Sequence, residues 1–380
     1  MNSDSSTTAS RPAFGVPQLG LIAIIALVIA ALTALDLSLA RTEEAEMQRS
    51  AERNYSKGLD LLRQGKTSEA VEALRTAHGL DRDNKSYTLS LIEALMAAGK
   101  LSEADPLMNE IRMDQPNDGR ANLVAARLSV RKGKTRDAEA YYHRAIYGEW
   151  PADPALHRIA ARLELIDFLK KKGNQEDVIA ELIPLQEEAA GNPALQAKVA
   201  QLFLQAGSPS RAADLYRSLI QHNPKDAAGY AGLGEADLQL GDYRAARSAF
   251  LKASQRDSRD SHIRDDLELS NTLAALDPTV RQLRSIEKYR RSLRILELAR
   301  SSLAACVSGQ PAQADIQPQS LLSAADKALA AKTPALVSNE MAENVLDLAG
   351  RLWQARLKIC GSATESGEEP LRLIMIKLAQ

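Results

Sequence analysis

Apolar residues return along most of this chain in paired runs of about a dozen positions, and a glycine stands between the two runs of each pair. Residues 227–260 show the pattern most plainly. Tyr230, Leu233, Gly234, Gly241, Tyr243, Ala246, Phe250 and Ala253 fall at positions 4, 7, 8, 15, 17, 20, 24 and 27 of that 34-residue window. Spacings of three and four on either side of Gly241 predict two amphipathic helices. Small residues at positions 8, 20 and 27 let the two helices close on each other, while the larger ones fill the space between them. Gly241 falls where the first helix needs a left-handed residue to end.

The same register starts at Ala51 and runs through residues 51–84, 85–118 and 119–151, then 193–226 and 227–260. Gly65, Gly99 and Gly133 are 34 residues apart, as are Gly207 and Gly241, whereas Gly133 to Gly173 is 40 and marks an insertion of six. The irregular unit around Gly173 opens its first helix early, near Pro154, and places Val178 where a small residue is expected. Pro184 lies within its second helix and is expected to bend or split it. In residues and period this stretch, 51–260, resembles the tetratricopeptide repeat (TPR) family. The resemblance implies an all-α fold, a TPR α-α superhelix of about six helix pairs. One pair is too thin to bury its own apolar face, so each unit needs neighbours, and the array is expected to bind other proteins rather than to catalyse.

Ahead of the repeats, residues 1–18 carry Ser, Thr, Pro12 and Pro17 without an apolar period and are expected to form a flexible tail. Residues 19–39 are apolar apart from Thr33, Asp36 and Ser38. At 1.5 Å per residue they reach about 31 Å, the thickness of a hydrocarbon core, so a transmembrane helix or signal anchor is expected. A cleaved signal peptide ending at Ala40 and a buried core helix are the competing readings. Residues 40–50 are then a linker. Arg11 precedes the apolar run, while Arg41, Arg49 and Arg53 follow it. That basic count opposes export, but a short amino-terminal tail before a first hydrophobic segment usually stays inside. The expected location is the cell membrane, crossed once, with the repeats facing the periplasm or cell exterior.

Beyond the repeats, 261–277 reads as a helix capping the array and 278–380 as a helical bundle. Asp277 and Pro278 read as the start of a helix reaching to about residue 305, with Arg281, Arg284, Lys288 and Arg291 as a basic stripe on it. Such a stripe is either the wet side of that helix or a contact for lipid headgroups or nucleic acid. Residues 309–318 read as a loop, 319–331 and 336–360 as helices and 361–369 as a polar linker. The last helix, from Pro370, is apolar on nearly every side and is expected to be buried.

Net charge is −1, so the whole chain exerts no pull on nucleic acid, which is not an expected partner. The two cysteines, Cys306 and Cys360, exclude a zinc ribbon; they are expected as either a structural disulfide or two buried thiols. The five histidines are scattered along the chain with no metal-ligand spacing, and no phosphate-cradling loop, dinucleotide fingerprint or hydrolase motif occurs, so no catalytic residue, metal or cofactor is expected.

The TPR resemblance implies that first-helix positions 2, 5, 9, 12 and 13 line a concave groove. On this chain those positions include Tyr55, Leu59, Glu93, Arg127, Arg131, Asp167, Lys170, Lys171, Gln201 and Glu235. The groove is then apolar at its start and basic around Arg127, Arg131, Lys170 and Lys171, which suits a protein or peptide partner with an apolar end and an acidic centre. Tyr55 and Leu59 stand where the clamp for chaperone tails carries Lys and Asn, so that mode of binding is not expected. The expected role is a membrane-anchored scaffold for assembly or chaperone-like work. In the alternative, the carboxyl-terminal bundle is the functional module, enzymatic or lipid-binding, and the repeats are a dimerisation or delivery arm. Oligomeric state is not legible.

Overall fold

The computed structural model describes residues 16–308, 316–361 and 367–379. The amino-terminal tail expected over 1–18 lies largely outside these residues, as do the centres of the expected 309–318 loop and 361–369 linker. The described residues form seventeen helices and no strands. They group into two compact units, Met1–Leu165 and Ile166–Gln380.

The first unit begins with α1 (Val16–Arg63), a single helix of 48 residues. It holds the apolar run at one end and the first helix of the first repeat at the other. Residues 40–50, expected as a linker, are instead helical. They hold Ala, Glu, Gln, Arg and Met with neither Gly nor Pro, so nothing in them ends a helix. Every large apolar side chain described between Leu21 and Leu39 is exposed. Helix pairs then follow: α2 (Thr67–Leu80) completes the first, α3 (Lys85–Ala97) and α4 (Leu101–Asp114) the second, α5 (Gly119–Arg131) and α6 (Thr135–Ile146) the third.

Helix α7 (Pro154–Lys172) is 19 residues long against 13 for α3 and α5, and relative to its bend glycine it starts five residues earlier, so the insertion mainly lengthens this helix at its start. Its partner α8 (Gln175–Glu188) contains Pro184 yet runs unbroken. The carbonyl that loses its donor there belongs to Ala180, which is exposed and open to hydration. The second unit continues with α9 (Pro193–Gln205), α10 (Pro209–His222), α11 (Ala227–Gln239) and α12 (Tyr243–Arg256).

The six glycines at the bends within the helix pairs, Gly65, Gly99, Gly133, Gly173, Gly207 and Gly241, all have the left-handed backbone, φ between 70° and 76°. Each bend closes with the same long-range bond, from the amide after the glycine to a carbonyl five residues back: Lys66 to Leu61 at 2.9 Å, Lys100 to Leu95 at 2.8 Å and Asp242 to Asp237 at 2.9 Å, for example. Close helix approach is visible at position 8. A β-carbon added to Gly234 would lie 2.8 Å from the Phe250 ring, and one added to Gly58 would lie 2.5 Å from Leu74.

After the repeats come α13 (Ser261–Leu276), α14 (Ser285–Ser308), α15 (Ile316–Ala330), α16 (Asn339–Cys360) and α17 (Glu369–Leu378). Their core is shared with the last repeat rather than separate from it. Tyr243 joins Leu273, Leu296, Leu352 and Ile374 in one buried cluster, and the half-buried Leu238 packs against it. The Tyr243 hydroxyl donates to the Leu373 carbonyl at 3.0 Å, and Lys377 Nζ reaches the Gly241 carbonyl and Asp277 Oδ2, each at 2.7 Å. Thus α17 is fastened into the bend of the sixth repeat. Only one side of α17 is buried, through Leu371, Ile374 and Met375, while Ile376 stays exposed. A ten-residue helix against this cluster has covering on one side only.

Two further expectations change here. Asp277 ends α13 instead of starting the next helix, and Pro278–Arg284 is a loop in which Asp277 Oδ1 accepts from Thr279. Arg281 and Arg284 are therefore off the helix. Of the other two basic residues, Lys288 pairs with Glu343 at 3.1 Å, and Arg291 donates to the carbonyls of Ala274 and Asp277, capping α13. The stripe is thus divided between loop and intrachain contacts. Cys306 and Cys360 are joined by a disulfide with Cα atoms 6.1 Å apart. Beside it, Arg356 is almost wholly buried, pairs with Glu368 at 2.7 Å and donates to the Gly361 carbonyl. Ser302 also donates to Glu368, so the entry to α17 is held from both α14 and α16.

Candidate binding face

In the first unit, the first helices α1, α3, α5 and the start of α7 present their polar positions as a connected row. The rings of Tyr55 and Tyr87 pack at a tilt of 38° with centroids 4.7 Å apart, and Tyr87 donates to Glu52 at 2.9 Å. Burial and the Glu52 carboxylate push the Tyr87 hydroxyl up to about 12. Ser90 links the Tyr55 hydroxyl at 3.4 Å to Arg120 at 3.1 Å. Leu59, next along α1, is half-buried.

Arg127 then lies between two carboxylates. Its Nη1 meets Glu93 at 2.9 Å, while its Nε and Nη2 hold Glu164 at 2.9 and 2.6 Å. The Glu164 hydrogen bonds raise the Arg127 pKa further. This planar, two-pronged grip is the strongest geometry open to an arginine at a carboxylate. The centre of this face is therefore internally neutralised rather than basic, which corrects the expected preference for an acidic partner segment there. Arg131, one turn on, is exposed and donates to the Met96 carbonyl at 3.3 Å.

In the second unit, Asp167, Lys170 and Lys171 on α7, Gln201 on α9 and Glu235 on α11 are all exposed. Lys170 Nζ donates to Gln205 Oε1 at 2.7 Å. Glu235 is shifted up from the ordinary carboxylate range by partial burial and by Asp266. Two positions behind it, Asp237 is 5% exposed, 3.6 Å from Arg217, and is pushed up to about 6 by burial.

Five expected residues, Tyr55, Leu59, Glu93, Arg127 and Arg131, thus lie on one row in the first unit, and five more lie on the first helices of the second. Glu52, Ser90, Arg120 and Glu164 also belong to the first row: Glu52 and Arg120 stand at position 2 of their repeats, whereas Ser90 and Glu164 stand at position 6 and are missed by the position rule. Glu164 lies three residues before Asp167 and so on the same side of α7, which is the one signal that marks it in the sequence. No group of three or more His, Cys, Asp or Glu among the described residues is placed to hold a metal ion.

A family model described as a tetratricopeptide repeat matches residues 61–128 and 203–265. The putative cellulose synthase operon protein C of Escherichia coli O157:H7 is 25% identical over 199 residues, covering 51% of this chain and 17% of that protein. The TPR repeat-containing thioredoxin TTL4 of Arabidopsis thaliana is 30% identical over 165 residues, covering 42% of this chain and 24% of its own length. The chain thus spans about a sixth of the first relative and a quarter of the second. Among solved structures, PilW, titled a type IV pilus biogenesis factor, aligns at 16% identity with a TM-score of 0.39, over 57% of this chain and 98% of PilW.

Proposed function

The chain carries tetratricopeptide repeats, and from that premise we propose that it is a membrane-anchored scaffold that captures a protein segment on its first-helix faces. Repeats of this kind mediate contacts between proteins. One observation carries the anchored part of the reading: α1 takes an exposed apolar run of spanning length directly into the first repeat without a break. An apolar helix with no protein around it needs lipid, since water would face every one of those side chains.

The captured segment is polar and near neutral opposite Arg127, because that guanidinium already has two carboxylate partners. Its apolar side chains face Tyr55 and Leu59. The Cys306–Cys360 disulfide favours an oxidising compartment, so the repeats lie on the outer side of the membrane. Photo-crosslinking in intact membranes tests capture. A crosslinker at Arg131 yields a discrete adduct, whereas one at Arg136, exposed on the second helix α6, yields none. Equal yields from the two positions contradict the reading.

A further inference from the structure

In the first unit, the start of each first helix lies beside the end of a second helix. Thr88 meets His78 at 3.0 Å, Lys85 meets Asp114 at 2.9 Å, and the Gly119 amide donates to the Glu149 carbonyl at 2.9 Å. Leu80, at the end of α2, shares a groove with Met47 and Ser50 of α1. These residues define one edge of the unit, and the apolar run of α1 leaves from that same edge. The opposite edge holds the bends at Gly65, Gly99 and Gly133, with Lys66, Lys100 and Lys134 beside them.

Exposed large apolar residues are not shared evenly between the two edges. Beyond residue 50 the first unit has five: Leu80 (37% exposed), Met113 (87%), Tyr147 (72%), Leu156 (64%) and Val130. All but Val130 lie on the edge from which the apolar run departs. The insertion sharpens this asymmetry. The five extra residues at the start of α7 extend it by about 7.5 Å towards that side, and they carry Leu156. Tyr147 lies just before them, and Trp150 is fixed there by stacking on His157 at 4.5 Å. Tyrosine and tryptophan are the side chains that gather at membrane–water boundaries.

Heights along the helix agree. Residue 51, the start of the first repeat, is twelve residues past Leu39, about 18 Å above the end of the apolar run. Extending α7 by about 7.5 Å leaves its start about 10 Å above the hydrocarbon, against a headgroup layer of roughly 5–7 Å. A helix tilt of about 10°, well within the usual range, closes the remainder across three repeats.

We propose that the inter-repeat edge of the first unit, with Met113, Tyr147 and Leu156 as its contacts, rests on the bilayer surface and fixes the orientation of the repeats above it. The occupant is the lipid headgroup and upper acyl layer. Leu156 and Tyr147 enter as apolar wedges, so zwitterionic lipid suffices. This contact rests on the anchor reading, since it requires α1 to cross the same membrane.

The test uses the full chain in phosphatidylcholine vesicles containing lipid with a spin label high on the acyl chain. Tryptophan is added by Leu156→Trp or, as a control on the opposite edge, by Lys134→Trp. The expected result is loss of about half the added emission for Leu156→Trp and almost none for Lys134→Trp. Tyr147→Trp gives a second readout if Leu156→Trp does not retain the helical circular-dichroism spectrum. Equal quenching on both edges overturns the proposal while leaving the anchor intact. Failure of the chain to float with the vesicles overturns both.

Discussion

Arg127 grips Glu164 through two parallel hydrogen bonds, at 2.9 and 2.6 Å, across 37 residues of sequence. The pair ties the third repeat to the start of the fourth. Both side chains are about one-third exposed, so solvent screening limits its worth. Arg127→Ala is expected to cost about 1 kcal/mol in thermal unfolding, and the double change with Glu164→Ala to cost less than the two single changes summed. Strict additivity would show that the pair is not coupled in solution.

Glycines separate by what surrounds them. Gly234→Ala pushes a β-carbon against Phe250 and is expected to destabilise by about 1–3 kcal/mol. Gly350, inside α16, has open space where its β-carbon would lie. There, Gly350→Ala is expected to stabilise by about 0.5–1 kcal/mol through helix propensity. Calorimetry of the two variants decides, and the same sign for both would contradict the packing described.

Asp237 is buried with its pKa raised to about 6, so its charged form is penalised in the folded state. Its favourable contribution is complete below the ordinary carboxylate pKa and is lost as pH rises through about 6. Asp237→Asn is therefore expected to raise Tm at pH 8, by the equivalent of about 1 kcal/mol, and to leave Tm unchanged near pH 4. An equal effect at both pH values would remove Asp237 ionisation as the cause.

The Cys306–Cys360 bridge spans a sequence separation of 54 residues. Chain entropy assigns it about 4 kcal/mol. Replacing both cysteines with serine is expected to lower stability by a figure of that order, most visibly in α17, whose entry lies beside the bridge. Hydrogen exchange resolved by peptide checks this, with faster exchange over 369–378 as the expected outcome.

How much of this was legible from sequence depended on how local the cause was. The bends at Gly65, Gly99 and Gly133 were legible because left-handed backbone favours glycine at a position fixed by the repeat. The continuity of α1 through residues 40–50 could have been read from their helix-forming composition, but the change from apolar to charged residues resembled a boundary. The neutralisation of Arg127 was hidden because the insertion shifts Glu164 out of the 34-residue register. Tyr243 and Leu373 meet across 130 residues with no shared pattern, so the fastening of α17 into the sixth repeat has no sequence signature.

The central claim is that a membrane-tethered array takes its partner on the first helices. Hydroxyl-radical footprinting of the full chain in its native membrane, with and without the partner that the crosslink at position 131 identifies, tests it most directly. Protection at Tyr55, Leu59 and Arg131, with none at Arg136 on the second helix α6, is the predicted result. Protection of Arg136 with Tyr55 and Leu59 left reactive would contradict it.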